Sequence, residues 1–310
     1  MAVVGTSDDD LMAAAIDAAA SARRRTAPNP WVGAAIALAD GRVVTGATQP
    51  PGGAHAEIEA LNAAGTAAAG ATLATTLEPC AHTGRTGPCA DAIIDAGVGR
   101  VLIGVEDPDE HVAGQGVQRL RAAGVDVTVG VRAEQVADQL APYLHHRRTG
   151  RPYVVAKVAA TLDGRTAAPD LSSQWITGEA ARADDPQLTV RHVDGDDPRR
   201  VVLGSAPDDA KVRPCLEWRG ELTELLDHLG GEGVLQLMVE GGASTISQFH
   251  SQQLIDRLVV YVAPALFGGD DARPMFAGDG AATMDLLERG RFVSVTPLGD
   301  DLRIEYVRAG

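Results

Sequence analysis

Apolar positions recur at helical spacing over residues 11–23, shift to strand-length runs over 32–37 and 42–47 around an Asp40-Gly41 turn, and return to helical spacing over 56–64. Short β-like runs at 71–76, 101–105 and 125–129 are separated by helical segments at 90–96 and 117–123. Strands and helices taken in turn predict a layered α/β sheet. A helix over 134–146 ends this half, and the polar stretch at 147–152 marks a boundary. Beyond it, residues 153–160, 200–203, 234–239 and 258–262 read as nearly continuous apolar strands, the pattern of a sheet covered on both faces. Residues 292–296 and 302–307 complete it as an antiparallel pair around Gly299-Asp300-Asp301.

A length of 310 residues suits two domains, expected at 1–147 and 152–310. With aromatics at 4%, the cores must be built from Ala, Val, Leu and Ile. The chain carries 27 basic and 42 acidic residues, and its net charge of −15 repels phosphate backbones and anionic headgroups at long range. No nucleic-acid or membrane partner is expected. An anionic small molecule remains compatible, because salt screens over roughly 8 Å and one local basic group suffices. No apolar run approaches the ~18 residues of a membrane span, and Asp8, Asp9 and Asp10 stand where an export signal carries Lys or Arg. Three cysteines fit reduced thiols in a cytoplasm better than a disulfide framework.

The chemistry concentrates in His55-Ala56-Glu57, Pro79-Cys80 and Pro88-Cys89. One imidazole and two thiolates suit Zn2+ with one coordination position open, and an open position means catalysis. A structural site needs a fourth ligand, for which only His82 lies near. Both cysteines are expected near helix starts, where the dipole favours thiolates. His55 and Glu57 lie about 200° apart around a helix, so they converge only at a helix end. There Glu57 can take a proton from metal-activated water and pass it to a leaving amine, which is hydrolytic deamination. Cys215 falls outside any motif.

The arrangement H-x-E followed by P-C-x8-C resembles the zinc-dependent cytidine and deoxycytidylate deaminases. With Ala27-Pro28-Asn29-Pro30-Trp31-Val32-Gly33 and the loop from Ala81 to Pro88, it is similar to the deaminase half of the bifunctional riboflavin-biosynthesis deaminase/reductases. That resemblance implies a phosphoribosylamino pyrimidine as substrate, with Asn29 on the ring or ribose, His82 on the pyrimidinone and Arg85 near the phosphate. The fold it implies is a cytidine-deaminase-like α/β/α domain followed by a dihydrofolate-reductase-like α/β domain.

The second half resembles the reductase of the same family through Lys157 to Arg165, Ser172 to Thr177, Asp184 to Arg191 and Val239 to Thr245. Independently, an apolar strand followed by Gly241-Gly242 and a helix forms a phosphate-accepting helix N-terminus. The resemblance implies NADPH, reducing the ribosyl chain to ribityl. Its pyrophosphate would lie on Gly241, Gly242, Ala243, Ser244 and Thr245, with Trp175 and Asp184 also on the cofactor. Lys157, Ser173, Leu188, Arg191 and Glu240 would face the substrate. A homo-oligomer is also implied.

One departure stands out. The family places about twenty residues, including a core strand, between the helix after Trp175-Ile176-Thr177 and the Asp-Asp-Pro loop. Here Ala183 runs directly into Asp184-Asp185-Pro186. Loss of a central strand unpairs a row of buried backbone groups, so either the domain is remodelled and its reductase activity is lost or weak, or the sequence omits residues that the natural protein has. The alternatives are a deaminase with a non-catalytic second domain, a deaminase of free bases or tRNA, and a zinc-bound interaction module.

Overall fold

The computed structural model describes residues 6–81, 87–109, 112–168, 188–190 and 197–309. The chain divides into two compact units, Met1–Gly150 and Arg151–Gly310.

Unit 1 runs α1 (Asp8–Ala22), β1 (Gly33–Ala37), β2 (Val43–Ala47), α2 (Ala56–Ala64), β3 (Thr72–Leu77), α3 (Cys89–Asp95), β4 (Arg100–Val105), α4 (Gln115–Ala122), β5 (Asp126–Val129) and α5 (Ala133–Thr149). The strands form one sheet in the order β2-β1-β3-β4-β5. β1 is antiparallel to both neighbours, whereas β3, β4 and β5 are parallel, as strands joined by crossover helices must be. The three acids at the chain start form a helix terminus. Ser7 caps α1 by accepting the Asp10 amide at 3.1 Å, and Asp8, Asp9 and Asp10 occupy its positive end.

Small residues let helices settle directly on the sheet. A Cβ at Gly46 of β2 would stand 2.3 Å from the Ala56 carbonyl oxygen and 2.4 Å from the Ala60 nitrogen, so only glycine admits α2 at this distance. Helix α5 continues through Thr149 and stops at Gly150 in the left-handed region (φ 73°). Residues 147–149, read as linker from their polarity, are therefore its last turn.

Unit 2 runs β6 (Tyr153–Thr161), β7 (Arg165–Ala167), β8 (Val201–Leu203), β9 (Leu216–Trp218), α6 (Leu222–Gly231), β10 (Gln236–Glu240), α7 (Ala243–Ser251), β11 (Arg257–Ala263), β12 (Arg273–Pro274), β13 (Gly290–Leu298) and β14 (Asp301–Arg308). The main sheet has the order β10-β6-β11-β14-β13. Its core packs Val154, Ala156 and Val158 of β6 and Val239 of β10 against Leu222 and Leu226 of α6 and Ile246 and Phe249 of α7. Coverage of both faces holds at β6 but not at β8 and β10, where Leu203 and Met238 are exposed.

β10 is an edge of that sheet, and β8 and β9 pair in parallel as a separate two-stranded piece. Among the described residues no strand joins the two pieces. The junction at 183–185 itself lies outside the described residues. No helix of the described residues is long and apolar enough to cross a membrane.

Candidate functional site

Two helix starts and one strand end build the site in unit 1. His55 is the N-cap of α2, in extended backbone (φ −76°, ψ 163°), and Glu57 lies in the first turn that follows. The convergence demanded by their spacing is thus met at a helix end. Cys89 is the first residue of α3, as expected. Cys80 instead lies in the loop after β3, and only its sulfur reaches a helix start, accepting the Cys89 N–H at 3.3 Å.

His55 Nδ1 is 3.2 Å from Cys89 Sγ and 3.6 Å from Cys80 Sγ. One donor atom from each of His55, Cys80 and Cys89 lies within 4.8 Å of the others, and among the described residues no fourth His, Cys, Asp or Glu joins this group. A borderline-soft divalent ion with one position left over fits this donor set. The Cys89 thiol beside it, together with His55, holds the Cys80 thiol down at about 4, while the Cys80 sulfur and burial push Cys89 up. Contact with Cys80 raises the His55 imidazole. Burial raises the Glu57 carboxyl to about 7, where it exchanges a proton readily near neutrality.

His55, Glu57 and Cys80 open into a cavity of ≈ 450 Å³ that Asn29 also lines, with Cys89 buried behind them. Its far wall was not anticipated from the sequence. Asp107 and Asp109 follow the C-terminal end of β4, and Tyr143 and Arg147 reach in from α5. The Tyr143 hydroxyl donates to Asp107, and the Arg147 guanidinium lies 5.2 Å from the Tyr143 ring centroid. Glu78 ties this wall to the metal cradle, accepting the amides of Asp107, Gly114 and Val117 at 3.3, 2.9 and 3.1 Å. Parallel strands collect ligand groups at their C-terminal ends, and that rule could have singled out Asp107. His82 and Arg85 lie outside the described residues.

In unit 2, Lys157 of β6 stands opposite Glu240 of β10 in register, and their charges meet at 2.8 Å. Gly241 follows, Gly242 is the N-cap of α7, and Ala243, Ser244 and Thr245 form its first turn. Nothing lies within 4 Å of a Cβ built on Gly242, so this helix start is open to a bulky anion. Leu188 is described, with positive φ (48°). Ser173, Trp175, Asp184 and Arg191 fall outside the described residues.

Residues 6–105 match the family described as the cytidine and deoxycytidylate deaminase zinc-binding region, and residues 152–184 and 180–304 match the RibD C-terminal domain in two pieces. The riboflavin biosynthesis protein RibD of Mycobacterium tuberculosis is 40% identical, covering 96% of this chain and 97% of its own. That alignment runs over 335 positions against a chain of 310, so the relative carries residues that this chain lacks. RibD of Escherichia coli is 34% identical over 97% of this chain and 100% of its own. Among solved structures, Acinetobacter baumannii RibD superimposes with a TM-score of 0.85 at 35% identity, covering 98% and 99% of the two chains. A Thermotoga maritima diaminohydroxyphosphoribosylaminopyrimidine deaminase/5-amino-6-(5-phosphoribosylamino)uracil reductase does so with 0.82 at 27%, covering 97% and 98%. The chain therefore joins a cytidine-deaminase-like domain to a dihydrofolate-reductase-like domain, and it belongs to the RibD family of bifunctional riboflavin-biosynthesis deaminase/reductases.

Proposed function

We propose that unit 1 hydrolytically deaminates 2,5-diamino-6-(5-phosphoribosylamino)pyrimidin-4(3H)-one, and that unit 2 then reduces the ribosyl chain of the product to ribityl with NADPH. The observation that carries the first step is the convergence of His55, Cys80 and Cys89, with the buried Glu57 lining the same cavity as His55 and Cys80. These three residues would hold Zn2+, which when bound supplies Lewis acidity that brings the pKa of water to roughly 7. Glu57 accepts the proton that water gives up and returns it to the departing amine. Asn29 orients the ring or ribose, and His82 and Arg85 face the pyrimidinone and the phosphate. In unit 2, Gly241 to Thr245 would hold the NADPH pyrophosphate at the start of α7, and NADPH supplies the hydride. Lys157 and Glu240 position the sugar, together with Ser173, Leu188 and Arg191, while Trp175 and Asp184 lie on the cofactor.

Ammonia release from this pyrimidine, measured with zinc content, tests the first step. Glu57→Gln should keep the metal and lose about 10²–10⁴-fold in rate. Full activity in that variant overturns the assignment. A second arrangement, a deaminase whose unit 2 only supports it, is favoured by the two-piece match to the RibD C-terminal domain. NADPH oxidation on the deaminated intermediate separates the two.

A homo-oligomer belongs to the same proposal, supported by the exposed Phe292, Val295 and Leu298 of β13 and tested by light scattering. A cytoplasmic setting is supported by the reduced thiols that the metal cradle requires.

A further inference from the structure

We infer that Arg147 reads the anionic end of the deaminase substrate and so sets its orientation in the pocket, an inference that rests on the deaminase assignment above. The described residues that line the cavity include four acids, Glu57, Glu78, Asp107 and Asp109, and a single Lys or Arg, Arg147. Glu57, Glu78 and Asp107 are 3%, 4% and 6% exposed, whereas the side chains of Arg147 and its partner Asp109 are 32% and 27% exposed, so three of the negative groups lie deep and the cation lies at the mouth, paired with the fourth.

A substrate carrying a neutral ring and a phosphate has one favourable way into such a field. Its ring goes in toward Cys80 and Glu57, and its phosphate stays outward at Arg147, which joins Arg85 of the proposed function in holding it. The reverse orientation sets two like charges together in a partly desolvated cavity, which costs several kcal/mol at short range.

The guanidinium is prepared for this task. It lies over the Tyr143 ring, and the Tyr143 hydroxyl is in turn held by Asp107 at 3.0 Å, so its position is set by the packed core of α5. Its ion pair with Asp109 spans 3.6 Å, longer than the 2.7 Å of Arg100 with Asp8 in the same unit. A phosphate, with a second charge and three acceptor oxygens, outcompetes that carboxylate for the guanidinium fork. Asp109 then acts as a placeholder that keeps Arg147 at the mouth until substrate arrives.

The test compares the phosphoribosylamino pyrimidine with the same compound lacking its phosphate, using full-length protein and ammonia release. Arg147→Met should lower the preference for the phosphorylated compound, taken as the ratio of the two kcat/KM values, by about tenfold or more, chiefly through KM. Arg147→Lys should recover part of it. A melting curve on each variant confirms that it is folded. An unchanged ratio in folded Arg147→Met, with wild type active, overturns the role of Arg147 alone. Wild-type protein that deaminates neither compound overturns the deaminase assignment, and the role of Arg147 falls with it.

Discussion

The Tyr143 hydroxyl donates to both carboxylate oxygens of Asp107, at 3.2 and 3.0 Å, joining the end of β4 to helix α5 inside the deaminase cavity. Burial, the largest influence, raises the Asp107 carboxyl above its ordinary value, so the folded state holds its proton more tightly than the unfolded chain does. The stabilisation from this group is complete below the unfolded pKa and is lost as pH rises through the folded one. Asp107→Asn should therefore flatten the stability curve in the window just above the ordinary carboxylate pKa, as read by urea melts at stepped pH. Tyr143→Phe removes one donor from the buried acid and should cost about 1–3 kcal/mol at neutral pH.

Removal of one metal ligand should be severe. Cys80→Ala takes away a sulfur that faces both His55 and the Cys89 amide. Metal affinity should fall by well over about tenfold and deamination should vanish, checked by elemental analysis of dialysed protein alongside ammonia release.

Gly46→Ala should displace α2 without altering any polar side chain. The added methyl meets main-chain atoms that cannot rotate aside, so a loss of about 1–3 kcal/mol is expected. Because His55 and Glu57 ride on the start of that helix, the deaminase rate should drop in protein that still folds, as circular dichroism would show.

The start of α7 offers a test of cofactor binding independent of turnover. Gly242 has open space around it and extended backbone, so Gly242→Asp fits and even caps the helix. A carboxylate there repels a pyrophosphate. NADPH affinity measured by fluorescence titration should fall by about tenfold or more, while the melting temperature holds or rises.

The site was legible in the sequence where chemistry and spacing coincide. His55, Glu57, Cys80 and Cys89 are few in kind and rigidly spaced, and the helix-end geometry of the first pair follows from 3.6 residues per turn. The sheet of unit 1 was legible because its strands are short apolar runs between amphipathic helices. Asp107, Tyr143 and Arg147 escaped notice because their meeting depends on α5 crossing near the end of β4, a tertiary event without local signature. β7, β9 and β12 span three residues or fewer, too short for any periodicity, and α6 was missed although Leu222, Leu225, Leu226 and Leu229 mark a buried stripe. The gap before Asp184 was visible as a missing length, and the 335-position alignment to the Mycobacterium tuberculosis relative agrees that this chain is the shorter.

Glu78 gives the pocket its mechanical character. A single carboxylate gathers amides from residues 107, 114 and 117 while its own backbone leads two residues on to Cys80. The wall that carries the proposed substrate contact and the cradle that would hold the metal are thus clamped into one jaw, so a substitution that tilts one tilts the other. Selectivity and rate in such an enzyme should drift together over evolutionary time, with little freedom to tune either alone.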